Sequence, residues 1–414
     1  YGGVPIVANS LASTADFNAL KRSSFDECAQ WIAKQCDTAA LLMNDVVRRR
    51  NNDIGRATKA FALAVKSRTL LYNASPLNNP SGDMVKWKAA ADAAKQILDL
   101  VDQGYYALYN DYYSMFIQQD KGVTDQNFKE VIFQLPRNNG HFNNVNSIAF
   151  GKGFKAGTCP SQELVDAYPM KNGEQPVLGY SDADKLVPIL NPASGYDPAN
   201  PYLNRDPRFA ASIFYNGSFW GKQNGQDHYV ESFVGGSDGL RDDRNYTRTG
   251  YYIKKYIDPT AGNGFANQAP ATAQAYWIIF RLAEFYLNYA EALNEASGPV
   301  AEVYTAVNKI RTRAGIPNLP AGLSKEQMRE RVRTERRVEL AFEEHRFYDV
   351  RRWKILKDTD KLVTGLKITK TGSVLAYERI VVERRTAWDD KFLQFPIPIN
   401  DLSKMTGVQQ TPGW

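Results

Sequence analysis

Arg281-Leu282-Ala283-Glu284-Phe285-Tyr286-Leu287-Asn288-Tyr289-Ala290-Glu291-Ala292 is the stretch that decides the architecture. Read through it, the apolar residues Ile278, Leu282, Phe285, Tyr289, Leu293 and Ala296 recur at steps of three and four, which is one buried face of a helix. Ala283 and Ala290 keep that face low enough for a close neighbour. The spacing predicts a helix from about Tyr276, stopped at Gly298-Pro299. A second helix follows with Val303, Val307, Ile310 and Ala314 inward, and Gly315 supplies its left-handed stop. Two short-linked helices of this kind form one helical hairpin.

The same pattern occurs nearer the start. A helix from about Arg56 to Ala74 carries Ala57, Phe61, Ala64, Val65, Arg68 and Tyr72 along one face, and Pro76 ends it. The next begins near Asp83, with Trp87, Ala90, Ala94, Ile97 and Val101 inward and Gly104 as its stop. Small residues (Ala60, Ala64, Ala90, Ala94) again stand where helices must approach. The two pairs resemble degenerate tetratricopeptide-type repeats. Ser24-Phe25-Asp26-Glu27 is a capping box opening an earlier helix that holds Cys28 and Cys36. Ser324 and Gln327 form another, opening a helix expected to reach about Glu344, with Leu323 and Met328 placed as a hydrophobic staple.

Composition narrows the function. The 414 residues carry a net charge of +6 and only three histidines, His141, His228 and His345, so a zinc enzyme built on several histidines is disfavoured. No run approaches the roughly 20 apolar residues of a membrane-spanning helix. Cys28 and Cys36 lie eight residues apart on one helix, roughly 12 Å, too far for a disulfide. With Cys159 they show no metal spacing, and they neither demand nor exclude an oxidising compartment.

From about 135 to 275 helical periodicity fades and Asn, Gly, Asp, Pro and Tyr dominate. Ala211–Tyr215 and Gly250–Tyr256 read as short strands. Linkers are poor in aromatics, so this excursion reads as a functional surface on a helical frame. Gly235-Gly236-Ser237-Asp238-Gly239 matches a nucleophile-elbow pattern, but no apolar helix follows it, and the expectation is a turn. Gly151–Gly157 and Gly217–Lys222 miss the dinucleotide and P-loop patterns. Between Arg329 and Lys354 arginines alternate with acids, which argues against nucleic acid and for ion pairs such as Glu330–Arg333 and Glu343–Arg346, with His345 structural. No carboxylate pair marks a glycosidase, although sequence alone leaves one open. The aromatic and polar residues of the excursion form the candidate ligand site. They are Trp220, Phe219, Tyr215, Tyr229, His228, Asn224, Asp238 and Arg241, because flat rings cover the apolar face of a sugar while polar groups bond its hydroxyl rim. Trp220, between Gly217 and Gly221, is expected to be the exposed platform. No catalytic or metal-ligating set and no cofactor is predicted; a structural Ca²⁺ is left open.

Several ordered motifs resemble the SusD/RagB family of Bacteroidetes outer-membrane proteins. They are Gly55–Ala60 with Leu71-Tyr72-Asn73-Ala74-Ser75-Pro76, Arg281–Ala292, Val307–Gly315, Glu335–Glu343, His345-Arg346-Phe347-Tyr348-Asp349-Val350-Arg351-Arg352-Trp353, Pro396-Ile397-Pro398 and Pro412-Gly413-Trp414. The resemblance implies a mainly α fold, a tetratricopeptide-like superhelix with a long irregular excursion containing short strands. It implies a single domain over 1–414, with a helical part at 1–134, the loop-rich ligand side at 135–275, helical pairs at 276–357 and an irregular end at 358–414. It further implies a lipid-anchored protein on the outer face of the outer membrane. Such a protein captures oligosaccharides for a SusC-like TonB-dependent transporter and is not an enzyme. A RagB-like peptide-capturing protein is the alternative, and a glycoside hydrolase a remote one. Tyr1-Gly2-Gly3-Val4-Pro5 looks like an internal motif of that family, so a leading segment with the lipidated cysteine is expected ahead of it.

Overall fold

The helical frame forms where alanines let helices touch. In the computed structural model, residues 2–12, 14, 20–47, 55–117, 129–138, 146, 156–223, 226–257, 274–405 and 407–414 are described. Helix α1 (Phe25–Leu42) starts at the Ser24–Glu27 capping box. Thr58 caps α2 (Lys59–Ala74) and Asp83 caps α3 (Met84–Asp102). The alanines flagged above lie in the contacts: Ala60, Ala64, Ala94, Ala283 and Ala290 are fully buried, and Ala90 nearly so. Two short helices, α4 (Gln162–Ala167) and α5 (Pro207–Ser212), belong to the excursion. The frame resumes with α6 (Leu282–Ser297), α7 (Ala301–Ala314), α8 (Lys325–Glu339) and α9 (His345–Arg352). Helix α6 packs on α2, α3, α7 and α8, so it is the axis joining the two hairpins. The fold is mainly helical, as the spacing predicts.

Two boundaries differ from the sequence reading. The segment expected to begin a helix at Tyr276 is a strand to Arg281, and the helix starts at Leu282. The continuous apolar run Trp277-Ile278-Ile279-Phe280 fits a buried strand as well as a buried helix, and a partner strand decides between them. That partner is β1 (Val131–Asn138), antiparallel to the returning strand 274–281, with Val131 opposite Arg281 and Asn138 opposite Gln274. The ribbon is a stem that gathers both ends of the excursion onto the frame. The helix expected to reach Glu344 stops at Glu339; Phe342 and Glu344 take left-handed backbone (φ 63° and 67°) and turn the chain into α9.

Within the excursion the strands are β2 (Val177–Tyr180) with β3 (Pro188–Leu190), β4 (Ile213–Phe214), β5 (Phe219–Gln223) with β6 (Gln226–Tyr229), and β7 (Tyr252–Ile253), which pairs with β4. The returning stem strand is β8 (Gln274–Arg281). The expectation of an irregular chain after 358 is corrected. β9 (Leu362–Thr371) and β10 (Val374–Arg384) form the longest hairpin described, closed at Gly372, whose φ of 62° suits a tight turn. The hairpin docks under the excursion. Thr364 gives its amide and hydroxyl to Glu163 of α4, Arg379 forks onto Asp166 at 2.7 and 2.8 Å, and the Leu366 amide donates to the Thr249 carbonyl.

A buried charge network fastens the excursion to the frame. Five cations, Arg208, Lys255, Arg281, Arg311 and Arg313, face five carboxylates, Glu130, Asp206, Glu335, Glu339 and Glu343, in a connected set whose side chains are at most 6 % exposed. The set is electrically neutral, which is the condition for keeping that much charge out of water. Burial alone would push the Glu339 carboxyl up. The charges of Arg313, Arg281 and Arg208 outweigh it and hold the group well below the usual carboxylate range. Of the alternating charges between Arg329 and Lys354, Glu335, Glu339 and Glu343 join this network, Arg336 and Arg352 are buried in pairs with Asp349, and the other arginines stay partly exposed. Glu330–Arg333 does form on the surface, at 3.3 Å. Glu343 instead accepts from Arg281 at 2.6 Å and Lys255 at 2.7 Å, and does not pair with Arg346. His345 is buried against Arg336, at 3.1 Å.

Candidate functional site

The β5–β6 hairpin carries most of the candidate residues, and strand alternation sorts them. Neighbouring side chains on a strand point to opposite faces. Phe219 pairs with Tyr229 across the hairpin, and both rings turn outward, 47 % and 53 % exposed. They meet edge to face, with centroids 5.5 Å apart. Trp220, one residue on, turns inward and is 1 % exposed, packed with Phe214, Val230, Tyr252, Ile253 and Ile257. Its ring meets Phe214 at 4.3 Å. The expected exposed platform at Trp220 is thus corrected: Gly217 shapes the turn before it, while the pleat decides which way the indole faces.

The other candidates have partners of their own. Tyr215 is half-buried and stacks on Phe209 at 5.0 Å and against Tyr202 at 4.5 Å. His228 Nε2 lies 3.1 Å from Oδ2 of the buried Asp238. The same oxygen accepts the Glu231 amide and the Ser237 hydroxyl, each at 3.0 Å. Arg241, exposed, donates to the Gly236 carbonyl at 2.9 Å and lies over Tyr246 at 4.2 Å. Asn224 lies outside the described residues, as do residues 151–155 of the Gly151–Gly157 stretch.

The Gly235–Gly239 pattern is a turn. The Gly236 amide returns to the Phe233 carbonyl and the Gly239 amide to the Gly236 carbonyl, with Gly235 at φ 87°. The Ser237 hydroxyl is taken by Asp238, so Ser237 and His228 share one carboxylate oxygen rather than forming a nucleophile–base pair.

A second exposed aromatic set was not singled out in the sequence. Phe347 and Phe395 stack with centroids 5.8 Å apart, Tyr348 meets Phe347 at 5.2 Å, and the Arg351 guanidinium lies 3.5 Å from the Phe347 centroid. All three rings are between 42 % and 47 % exposed. The usable signal was the adjacent pair Phe347-Tyr348 on a short helix, since two consecutive helical residues do not share one buried face. The usable signal at the hairpin was the alternation Phe219-Trp220 against His228-Tyr229.

The frame, stem and excursion define a helical scaffold presenting an aromatic loop surface. The profile of the SusD family matches residues 129–414. The chain belongs to the SusD family. It is 45 % identical over 84 residues to a SusD-like protein of Formosa agariphila, which is 20 % of this chain and 16 % of that protein. The match therefore spans well under two thirds of that relative. A crystal structure of a SusD-like protein from Bacteroides fragilis superposes with a TM-score of 0.81 at 28 % identity, covering 100 % of this chain and 76 % of that one. A structure described as a SusD-like carbohydrate binding protein, also from Bacteroides fragilis, gives a TM-score of 0.75 at 24 % identity, covering 99 % of this chain and 75 % of that one, and shares the fold.

Proposed function

We propose that this chain captures a glycan at the outer face of the β5–β6 hairpin and passes it to a SusC-like TonB-dependent transporter, as a lipid-anchored protein on the outer face of the outer membrane. The observation that carries the capture is the exposed Phe219–Tyr229 pair on a hairpin whose opposite face is anchored by Trp220. An edge-to-face pair offers two inclined apolar surfaces, which suits the C–H faces of a sugar chain. Family membership and a carbohydrate-binding relative of the same fold support the reading. The sharing of Asp238 by Ser237 and His228 supports binding rather than hydrolysis. The exposed platform favours a glycan over a peptide, which is held chiefly through backbone-directed polar groups.

The test is affinity electrophoresis of the wild type and of Phe219→Ala/Tyr229→Ala in gels cast with a panel of polysaccharides. Retardation by at least one glycan, lost in the double variant at unchanged melting temperature, is the expected result. Equal mobility of the two proteins in every retarding glycan refutes the site.

A further inference from the structure

A cavity of about 350 Å³ opens where α4, the α8–α9 turn and the start of β9 meet. Its wall includes Arg337, Arg346 and Arg385, with Glu163, Glu344 and Asp360. The acids divide unevenly among the cations. Glu163 is committed to the amide and hydroxyl of Thr364. Asp360 takes Arg385 at 3.1 Å and the Thr359 hydroxyl at 2.7 Å. Glu344 is exposed and, among the described residues, forms no ion pair. Arg337 and Arg346 are half-buried in the wall and, among the described residues, have neither a hydrogen bond nor an ion pair nor a ring contact. This is the reverse of the neutral network a few residues away, where every arginine has a carboxylate.

Two further features point the same way. The N-cap and first turn of α9 (Glu344, Arg346 and Phe347) line the cavity, and no side chain hydrogen-bonds the amides at that helix start. The backbone entering it is strained at two non-glycine residues, Phe342 and Glu344, and both line the cavity. Burial, and then the neighbouring Arg337 charge, push Arg346 down to about 9.

We propose that this cavity binds an oxyanion, the carboxylate or sulfate group of an acidic ligand, through the forked guanidinium groups of Arg337 and Arg346. A guanidinium presents parallel N–H donors that match a carboxylate or sulfate edge. The cavity is large enough for a single acidic sugar residue and too small for an oligomer. Phe347 belongs both to its wall and to the second exposed aromatic set, so a ring bearing the anion has an apolar surface at the mouth.

The experiment is isothermal titration of the whole chain with sodium sulfate, sodium phosphate, sodium glucuronate and glucose, against sodium chloride at matched ionic strength. The variants are Arg337→Gln and Arg346→Gln. The expected result is saturable binding of at least one oxyanion, weakened tenfold or more in each variant, with no response to glucose or chloride. Heat from glucuronate identifies a sugar acid as the source; heat from sulfate or phosphate alone identifies a free inorganic anion. Melting temperatures separate this from a structural role. Without anion the variants melt at or above the wild type, because each removes an unpaired charge. Variant isotherms unchanged for every oxyanion that binds the wild type, or a wild-type response to all of them no greater than that to chloride, overturns the proposal.

Discussion

Replacing Glu339 by glutamine tests whether the buried charge network holds the excursion on the frame. The substitution keeps the shape and removes one charge. In the wild type, Glu339 Oε1 accepts from Arg281 at 2.7 Å and from Arg313, while Oε2 accepts from Arg208 at 2.9 Å. Glutamine has one oxygen. If it serves Arg281 and Arg313, the amide nitrogen faces the Arg208 N–H, donor against donor. The five-against-five balance becomes one positive charge in excess, in a site closed to water. Breaking one partner of a buried pair costs about 3–5 kcal/mol. At about 2.1 cal/mol/K of unfolding entropy per residue, a chain of 414 residues melting as a unit has roughly 0.9 kcal/mol/K. The melting temperature therefore falls by about 3–6 °C at pH 7. The pH dependence adds a signature. The folded carboxyl lies well below its unfolded value, so its stabilisation is present above the ordinary carboxylate range and is lost as pH falls toward the folded value. The gap between wild type and Glu339→Gln, followed by scanning calorimetry, is full at pH 7 and narrows below about pH 4.5. A variant melting within a degree of the wild type at pH 7, or a gap that does not change with pH, refutes the reasoning and means that water reaches the network.

Trp220→Ala removes a fully packed indole and lowers stability by about 3–5 kcal/mol, visible as a lower melting temperature; a surface platform would instead leave melting unchanged. Gly365→Ala sets a methyl 2.7 Å from the Thr249 Cα atom, a backbone neighbour that cannot swing aside. The expected loss is about 1–3 kcal/mol, with faster hydrogen exchange at the Leu366 amide, which donates to Thr249 at 2.8 Å; unchanged exchange there would mean that β9 does not depend on this contact.

The residues that were legible in advance are those whose reason for being there is local. The Ser24 and Ser324 caps act within three residues, and both capping boxes form as read. Ala60, Ala64, Ala90, Ala94, Ala283 and Ala290 announce close helix contacts by their size, and these six are buried. The β9–β10 hairpin was missed because its outward residues, such as Lys370, Glu378 and Glu383, hide the alternation, and its stability comes from docking on α4 and Thr249. At the candidate site the residue types were legible but their directions were not. Trp220 and Phe219 are adjacent in sequence and opposite in exposure, because the Phe219–Tyr229 register sets the pleat.

By itself, the sequence determined the helical frame, its caps and stops, and the aromatic character of the middle excursion, because helical period, capping and side-chain size act over a few residues. Only the tertiary structure decided that Ile278 sits on a strand, that Glu335, Glu339 and Glu343 are buried against cations from elsewhere in the chain, and that Arg337 and Arg346 have no hydrogen-bonded carboxylate among the described residues. Charge pairing in a folded chain depends on which distant carboxylates arrive. Glu339 meets Arg208 from 131 residues away, while Glu343, three residues from Arg346, turns to Arg281 instead.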